Sequence, residues 1–207
     1  MPSASYNPGT VSRTIFLARH GETEWNRIGR WQGATDVPLS DVGRAQAQAL
    51  AARIAALSFA PARVHASGLA RARETGEIVA AALGLPPPQL DPRLGERGFG
   101  CFEGLTREEC ALRHPAAWAA YLADRRSTPP GGEPQGDVVA RMLAGLSAVG
   151  AATDDGTSAL VVSHGGAIRA FVHAVTGAVP APVGNGALLR ATWVGDRFVS
   201  VDLLYPA

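Results

Sequence analysis

Residues 14–18 (Thr-Ile-Phe-Leu-Ala) make a short apolar run that stops at Arg19-His20-Gly21. Such a run, bounded by polar residues, reads as a buried strand that delivers its last side chains to the carboxyl end. Two more segments end alike: residues 62–66 lead into Ser67-Gly68-Leu69-Ala70-Arg71, and residues 159–163 stop at His164-Gly165-Gly166. The last is the clearest strand of the chain, a continuous apolar run typical of a central parallel strand. Parallel strands bring their carboxyl ends to one edge, where ligands of open α/β sheets sit. Two arginines and two histidines are expected to meet there.

The segments between these runs carry helix signals. Pro38-Leu39-Ser40-Asp41 supplies a turn, an N-cap and a first-turn acid, and an Ala-rich helix over 41–57 follows, with Leu50, Ile54 and Leu57 on one face. A second helix ends at Gly84, and Pro86-Pro87-Pro88 breaks the pattern before an extended piece over 89–91. The glycine-punctuated stretch 94–104 cannot be a regular element and is expected as a structured loop. Helices over 106–113, 115–124, 137–151 and 167–175 come next, with a Pro/Gly-rich loop over 128–136. Strands over 187–191 and 197–204, joined by Gly195-Asp196, close the chain. This order predicts an α/β fold, a mostly parallel central sheet with helices on both faces. Residues 1–12 look like a loose tail. With 207 residues, 46% of them hydrophobic, the remaining 13–207 suffice for a single well-buried domain.

Composition narrows the partner. The chain carries 19 basic and 18 acidic residues without a charged block, so no nucleic-acid or membrane footprint is expected and the partner is a small molecule. Every one of the 19 basic residues is arginine, which excludes a P-loop lysine, a Schiff-base lysine and a pyridoxal-phosphate anchor. No signal-peptide core and no bilayer-length apolar run occur, which predicts a cytoplasmic protein with Cys101 and Cys110 reduced. A metal site is not expected: the two cysteines are not closely paired and no His-Glu-x-x-His is present.

The residue types point to phosphate. A guanidinium offers a planar fork of donors to phosphate oxygens, and an imidazole is a nucleophile or acid/base near neutral pH. Gly165-Gly166 opens a helix whose free N–H groups and positive end favour an anion.

The motifs resemble those of the histidine phosphatase superfamily, the phosphoglycerate mutase-like proteins. The resemblance runs in order through Arg19-His20-Gly21-Glu22-Thr23-Glu24-Trp25-Asn26, Trp31-Gln32-Gly33, Asp36-x-Pro38-Leu39-Ser40-x-x-Gly43, Ser67-x-Leu69-x-Arg71-Ala72-x-x-Thr75 and Leu94-x-Glu96. It continues with Phe99-Gly100-x-Phe102-Glu103-Gly104 and ends with Val162-Ser163-His164-Gly165-Gly166-x-Ile168-Arg169. It implies a three-layer sandwich with a helical insertion, about 105–136, as a lid over the site. It implies a catalytic set of His20, Arg19, Arg71, Glu96 and His164, with Asn26, Thr23, Gln32, Gly33 and Gly165 binding substrate, and no cofactor or metal. His20 is then the nucleophile that forms a phosphohistidine. Arg19, Arg71 and a protonated His164 clamp the phosphate, and Glu96 is acid in one step and base in the next. A carboxyl group must carry a proton to act as an acid, while Arg97 and the arginine cluster favour its ionised form.

The implied activity is metal-independent hydrolysis of a small phosphorylated metabolite. The competing activity is a bisphosphoglycerate-dependent phosphoglycerate mutase, and a non-catalytic phosphate-binding module is a third class. The insertion favours the phosphatase, being short, with only Arg107, Arg113, Arg125 and Arg126 as basic residues. A homodimer is implied by analogy only. Glu103 rivals Glu96 as the acid but reads as a structural hydrogen-bonding residue. Arg73 reads as a surface charge, and His65, His114 and His173 as packing or surface histidines. Trp118 and Tyr121 lie in the lid and are the candidates for substrate contact. Two departures from the family pattern are Phe102, where tryptophan is frequent, and Pro134, where serine is frequent.

Overall fold

A computed structural model describes residues 12–58 and 60–206. Six strands, β1 (Ser12–Arg19), β2 (Arg63–Ala66), β3 (Gln89–Leu90), β4 (Ser158–Ser163), β5 (Leu188–Val194) and β6 (Arg197–Tyr205), form a sheet of order β3-β2-β4-β1-β5-β6. The pairs β1/β4, β2/β4 and β2/β3 are parallel, while β5 pairs antiparallel with β1 and with β6. In the register Arg19 stands opposite Ser163 and Ala66 opposite Val162, so three strand ends share one edge. Backbone bonds carry the ladder past the strands: His20 N–H donates to Ser163 at 3.0 Å and Ser67 N–H to Val162 at 3.1 Å.

The described residues form seven α-helices: α1 (Glu24–Arg27), α2 (Asp41–Ala55), α3 (Ala70–Ala82), α4 (Arg107–Arg113), α5 (Pro115–Ala123), α6 (Gln135–Ala152) and α7 (Gly165–Thr176). Side chains of a strand alternate between faces. Accordingly Ile15, Leu17 and Val161 pack with Met142, Leu146 and Phe171 of α6 and α7, whereas Phe16, Leu160 and Val162 pack with Leu50, Ile54 and Val79 of α2 and α3. The α2 cap follows the sequence signal. Ser40 Oγ accepts from Gly43 N–H at 3.1 Å to start α2, and Asp36 Oδ1 accepts from Ala70 N–H at 2.7 Å to start α3.

Several boundaries differ from the expected ones. Helix α2 stops two residues short of 57. Helix α6 starts two residues before 137, because Pro134 fits a helix start and its carbonyl accepts from Asp137 and Val138. Helix α7 begins at Gly165, two residues before 167. Of the tail expected over 1–12, residues 1–11 lie outside the described residues. Ser12 already belongs to β1, opposite Val194.

The 105–136 insertion holds α4 and α5 and has its own apolar centre. Phe99, Phe102, Cys110, Trp118 and Tyr121 form a cluster separate from both sheet faces. Its rings meet edge to face, with Trp31 and Tyr121 at 5.4 Å and Phe102 and Trp118 at 5.5 Å. Among the described residues no helix is long and apolar enough to cross a membrane.

Candidate active site

At the shared strand edge lies a cavity of about 630 Å³, with Arg19, His20, Arg71 and Glu96 in its wall. The imidazole of His20 is 2% exposed, and its Nδ1 lies 2.7 Å from the carbonyl oxygen of Gly21. A carbonyl only accepts, so Nδ1 carries the hydrogen and Nε2 keeps its lone pair. Asn185 Nδ2 donates to the His20 carbonyl at 3.1 Å and to Asn26 Oδ1 at 3.1 Å, tying the nucleophile candidate to a cavity-wall side chain.

The ring of His164 lies 5.1 Å from that of His20, centroid to centroid, and is fully buried. Burial holds His20 well below the ordinary imidazole range, and the Arg19 and Arg71 charges add to the effect. Burial, then the His20 ring, does the same for His164. Both rings are therefore neutral at pH 7 in this structure. The protonated His164 expected from sequence requires an anion to bring the proton in.

The arginines are gripped from behind. Arg19 Nη1 donates to Val183 O at 2.6 Å, and Arg71 donates through Nη1 to Thr35 O and through Nη2 to Gly33 O, both at 2.8 Å. Burial lowers the pKa of both guanidiniums from the usual arginine value. Six buried side-chain N or O atoms have no partner among the described residues. Five of them belong to Arg19 (Nε), Arg71 (Nε), Gln32 (Oε1) and His164 (both ring nitrogens). Buried polar groups are normally paired, so this concentration at one place marks a site made for a polar guest.

Glu96 occupies the position that the sequence assigned to an external anion. Its carboxylate accepts from Ala167 N–H at 2.8 Å and Gly166 N–H at 3.0 Å, the first turn of α7, and from Arg97 N–H at 2.8 Å. These helix N–H groups are therefore not free for phosphate. Arg141 of α6 holds the Glu96 backbone, donating to Gly95 O at 2.6 Å and Glu96 O at 2.9 Å. It also donates to Arg93 O at 2.9 Å and to the Glu133 carboxylate at 2.7 and 2.9 Å.

Of the substrate-binding candidates, Asn26, Gln32 and Gly165 line the cavity. Thr23 and Gly33 do not. Thr23 is fully buried as the N-cap of α1 in a reciprocal box with Asn26, and Gly33 supplies the carbonyl that grips Arg71. Glu103 accepts four bonds, from Ala34 N–H, Thr35 N–H, Thr35 Oγ1 and Phe99 N–H at 2.7–3.1 Å, a loop-organising role. In the lid Tyr121 faces the cavity while Trp118 packs in the aromatic cluster. His173, expected as a packing or surface residue, stands in the cavity wall.

Sequence reasoning missed Arg141, Asn185 and the grip of Val183. A carbonyl carries no side-chain signature, and a lone helical arginine looks like a surface charge. Cys101 and Cys110 are free thiols. Among the described residues no group of three or more His, Cys, Asp or Glu is placed to hold a metal ion.

Comparisons with known proteins place this chain in a family. Residues 15–203 match the model of the histidine phosphatase superfamily (branch 1), and the chain belongs to this family. It is similar to a metal-independent phosphoserine phosphatase of Arabidopsis thaliana, with 36% identity over 92% of this chain and 82% of that protein. It is also similar to a 2,3-bisphosphoglycerate-dependent phosphoglycerate mutase of Methylobacterium sp. (strain 4-46), with 34% identity over 81% of this chain and 82% of that protein. Among solved structures, a mycobacterial glucosyl-3-phosphoglycerate phosphatase complexed with VO3 superposes with a TM-score of 0.78 at 29% identity, covering 89% of this chain and 98% of the other.

Proposed function

We propose that this chain is a metal-independent phosphomonoesterase that hydrolyses a small phosphorylated metabolite through a phosphohistidine on His20. One observation carries the reading: unpartnered buried nitrogens of Arg19, Arg71 and His164 surround an imidazole whose Nε2 lone pair is free. A phosphoryl group in transfer spreads negative charge over its oxygens, and the two fixed guanidiniums neutralise it without reorganising.

In the first step His20 Nε2 attacks phosphorus and the ester P–O bond breaks. Glu96, which takes up a proton as the phosphate dianion binds, gives it to the departing alkoxide. In the second step water attacks phosphorus, Glu96 takes the water's proton, and the P–N bond breaks to release phosphate. Splitting one displacement into two lowers each barrier. The neutral His20 favours attack, because its lone pair is available throughout the neutral range. Binding of the phosphate dianion draws a proton onto His164, offsetting the charge that burial otherwise excludes.

The similarity to a phosphoserine phosphatase and to a glucosyl-3-phosphoglycerate phosphatase supports hydrolysis; the similarity to a mutase keeps transfer to a second hydroxyl as the rival. The test is phosphate release from a panel of phosphomonoesters in the presence of chelator, with phosphoglycerate isomerisation followed with and without bisphosphoglycerate. Release that persists with chelator and falls at least about a thousandfold in His20→Ala is the expected result. Isomerisation without net release makes the chain a mutase, and phosphorylated ligand bound but never cleaved makes it a binding module. Release unchanged in His20→Ala refutes the mechanism.

A further inference from the structure

The two glycines that follow His164 stand between two charged side chains of the site. Neither has a positive φ, so neither is required for an unusual backbone conformation. Space is what each supplies. A Cβ on Gly166 would lie 2.6 Å from Glu96 Oε1, closer than such atoms approach, and 3.1 Å from its Cδ. A Cβ on Gly165 would lie 3.2 Å from Arg19 Nε and 3.3 Å from its Cζ, a milder crowding. Each glycine leaves room for a different charged group.

We propose that Gly165 and Gly166 are positioning residues with separate duties: Gly166 seats the Glu96 carboxylate for proton transfer, and Gly165 seats the Arg19 guanidinium for phosphate binding. This rests on the phosphatase reading above and deepens it. Glu96 is the free end of a flexible side chain, so a methyl group at 166 moves the carboxylate rather than the backbone. The carboxylate then loses one or both of the N–H donors of α7, the bonds from Gly166 and Ala167 that fix its direction. Its backbone stays put, because Arg141 holds the carbonyls of Gly95 and Glu96 independently. Gly166→Ala is therefore a displacement of the acid with its anchor intact. At Gly165 the crowded group is a guanidinium anchored on Val183 O, and only a few tenths of an ångström must be given up.

The two duties separate by leaving group. An alkoxide needs a proton to depart, whereas p-nitrophenolate departs without one. Values of kcat/KM for p-nitrophenyl phosphate and for the alkyl phosphate that the wild type turns over best report the step in which the ester bond breaks. In Gly166→Ala the ratio of the first to the second rises on the order of 100-fold, the size of a general-acid contribution. In Gly165→Ala that ratio holds its wild-type value, while competitive inhibition by inorganic phosphate weakens about tenfold, the smaller effect that milder crowding predicts. Glu96→Gln raises the ratio as Gly166→Ala does, and the double variant raises it no further, since the two act through one group. Equal losses on both substrates in Gly166→Ala, or additivity in the double variant, overturn the proposal.

A second readout is independent of turnover. The Ala167 amide proton, bonded to Glu96, shifts in the same direction in Gly166→Ala and in Glu96→Gln by NMR. A wild type that releases no phosphate from any substrate refutes the phosphatase reading. In that case this shift alone decides the seating of Glu96, and an unmoved Ala167 resonance refutes it.

Discussion

The sheet edge and the lid solve the same problem, fixing arginines around a cavity, in opposite ways. At the edge the backbone does the fixing: strand register places Arg19 and His164, and carbonyls of Gly33, Thr35 and Val183 grip the guanidiniums. In the lid a side chain fixes the backbone. Arg97, only 5% exposed, donates to the carbonyls of Arg126, Ser127 and Glu133, and so binds the loop that brings Arg125 and Arg126 to the cavity wall. Arg125 then stacks over Tyr121, 4.9 Å from the ring centroid. An edge built by register tolerates little change in position. A lid built by one side chain and an aromatic cluster can be re-cut residue by residue, which suits the part of a site that selects a substrate.

The contrast is sharpest for Arg71 against the lid. Arg71→Leu removes phosphate donors and leaves two carbonyls unpaired, and kcat/KM should fall on the order of 1000-fold. Phosphate release on the preferred substrate measures it, and a loss under tenfold would mean the edge is not where phosphate sits. Trp118→Ala empties the centre of the lid cluster, with an expected loss of about 3 kcal/mol in urea unfolding. Its KM should change more than its kcat; the reverse would make the lid part of the chemistry.

Arg97→Gln releases the loop carbonyls. It should cost about 2 kcal/mol and raise KM for substrates that reach Arg125. If KM stays fixed, the loop is held by something other than Arg97.

The edge also carries a pH dependence. Unfolded imidazole titrates near 6.5, and both His20 and His164 stay neutral to lower pH in the folded chain. Below 6.5 the unfolded chain therefore binds more protons. Stability is full above that pH and declines below it, by up to about 1.4 kcal/mol per pH unit for each ring. Thermal unfolding of wild type and His164→Asn between pH 7.5 and 5 checks this. Identical slopes would place the titration elsewhere.

Much of the edge was legible because strand ends announce themselves. Apolar runs at 14–18 and 159–163 carried Arg19, His20 and His164 to one place, and the structure brings Arg71 and Glu96 beside them. What could not be read were contacts whose chemistry lies in the backbone. The helix start at Gly165-Gly166 has the composition of an anion site. Its occupant is Glu96, nearly seventy residues away in sequence, and no local pattern reports it. Thr23, expected to bind substrate, instead caps α1 in a reciprocal box with Asn26. The lid arginines were visible as charges, while their direction depends on Arg97, whose partners are carbonyls.

Strand β1 is flanked on both sides, by β4 in parallel and β5 in antiparallel pairing, and its ladder continues through the His20 amide to Ser163. Amide hydrogens so enclosed exchange with solvent only through wide opening of the fold. Slow exchange is therefore expected to run directly up to His20, the residue proposed to take the phosphoryl group.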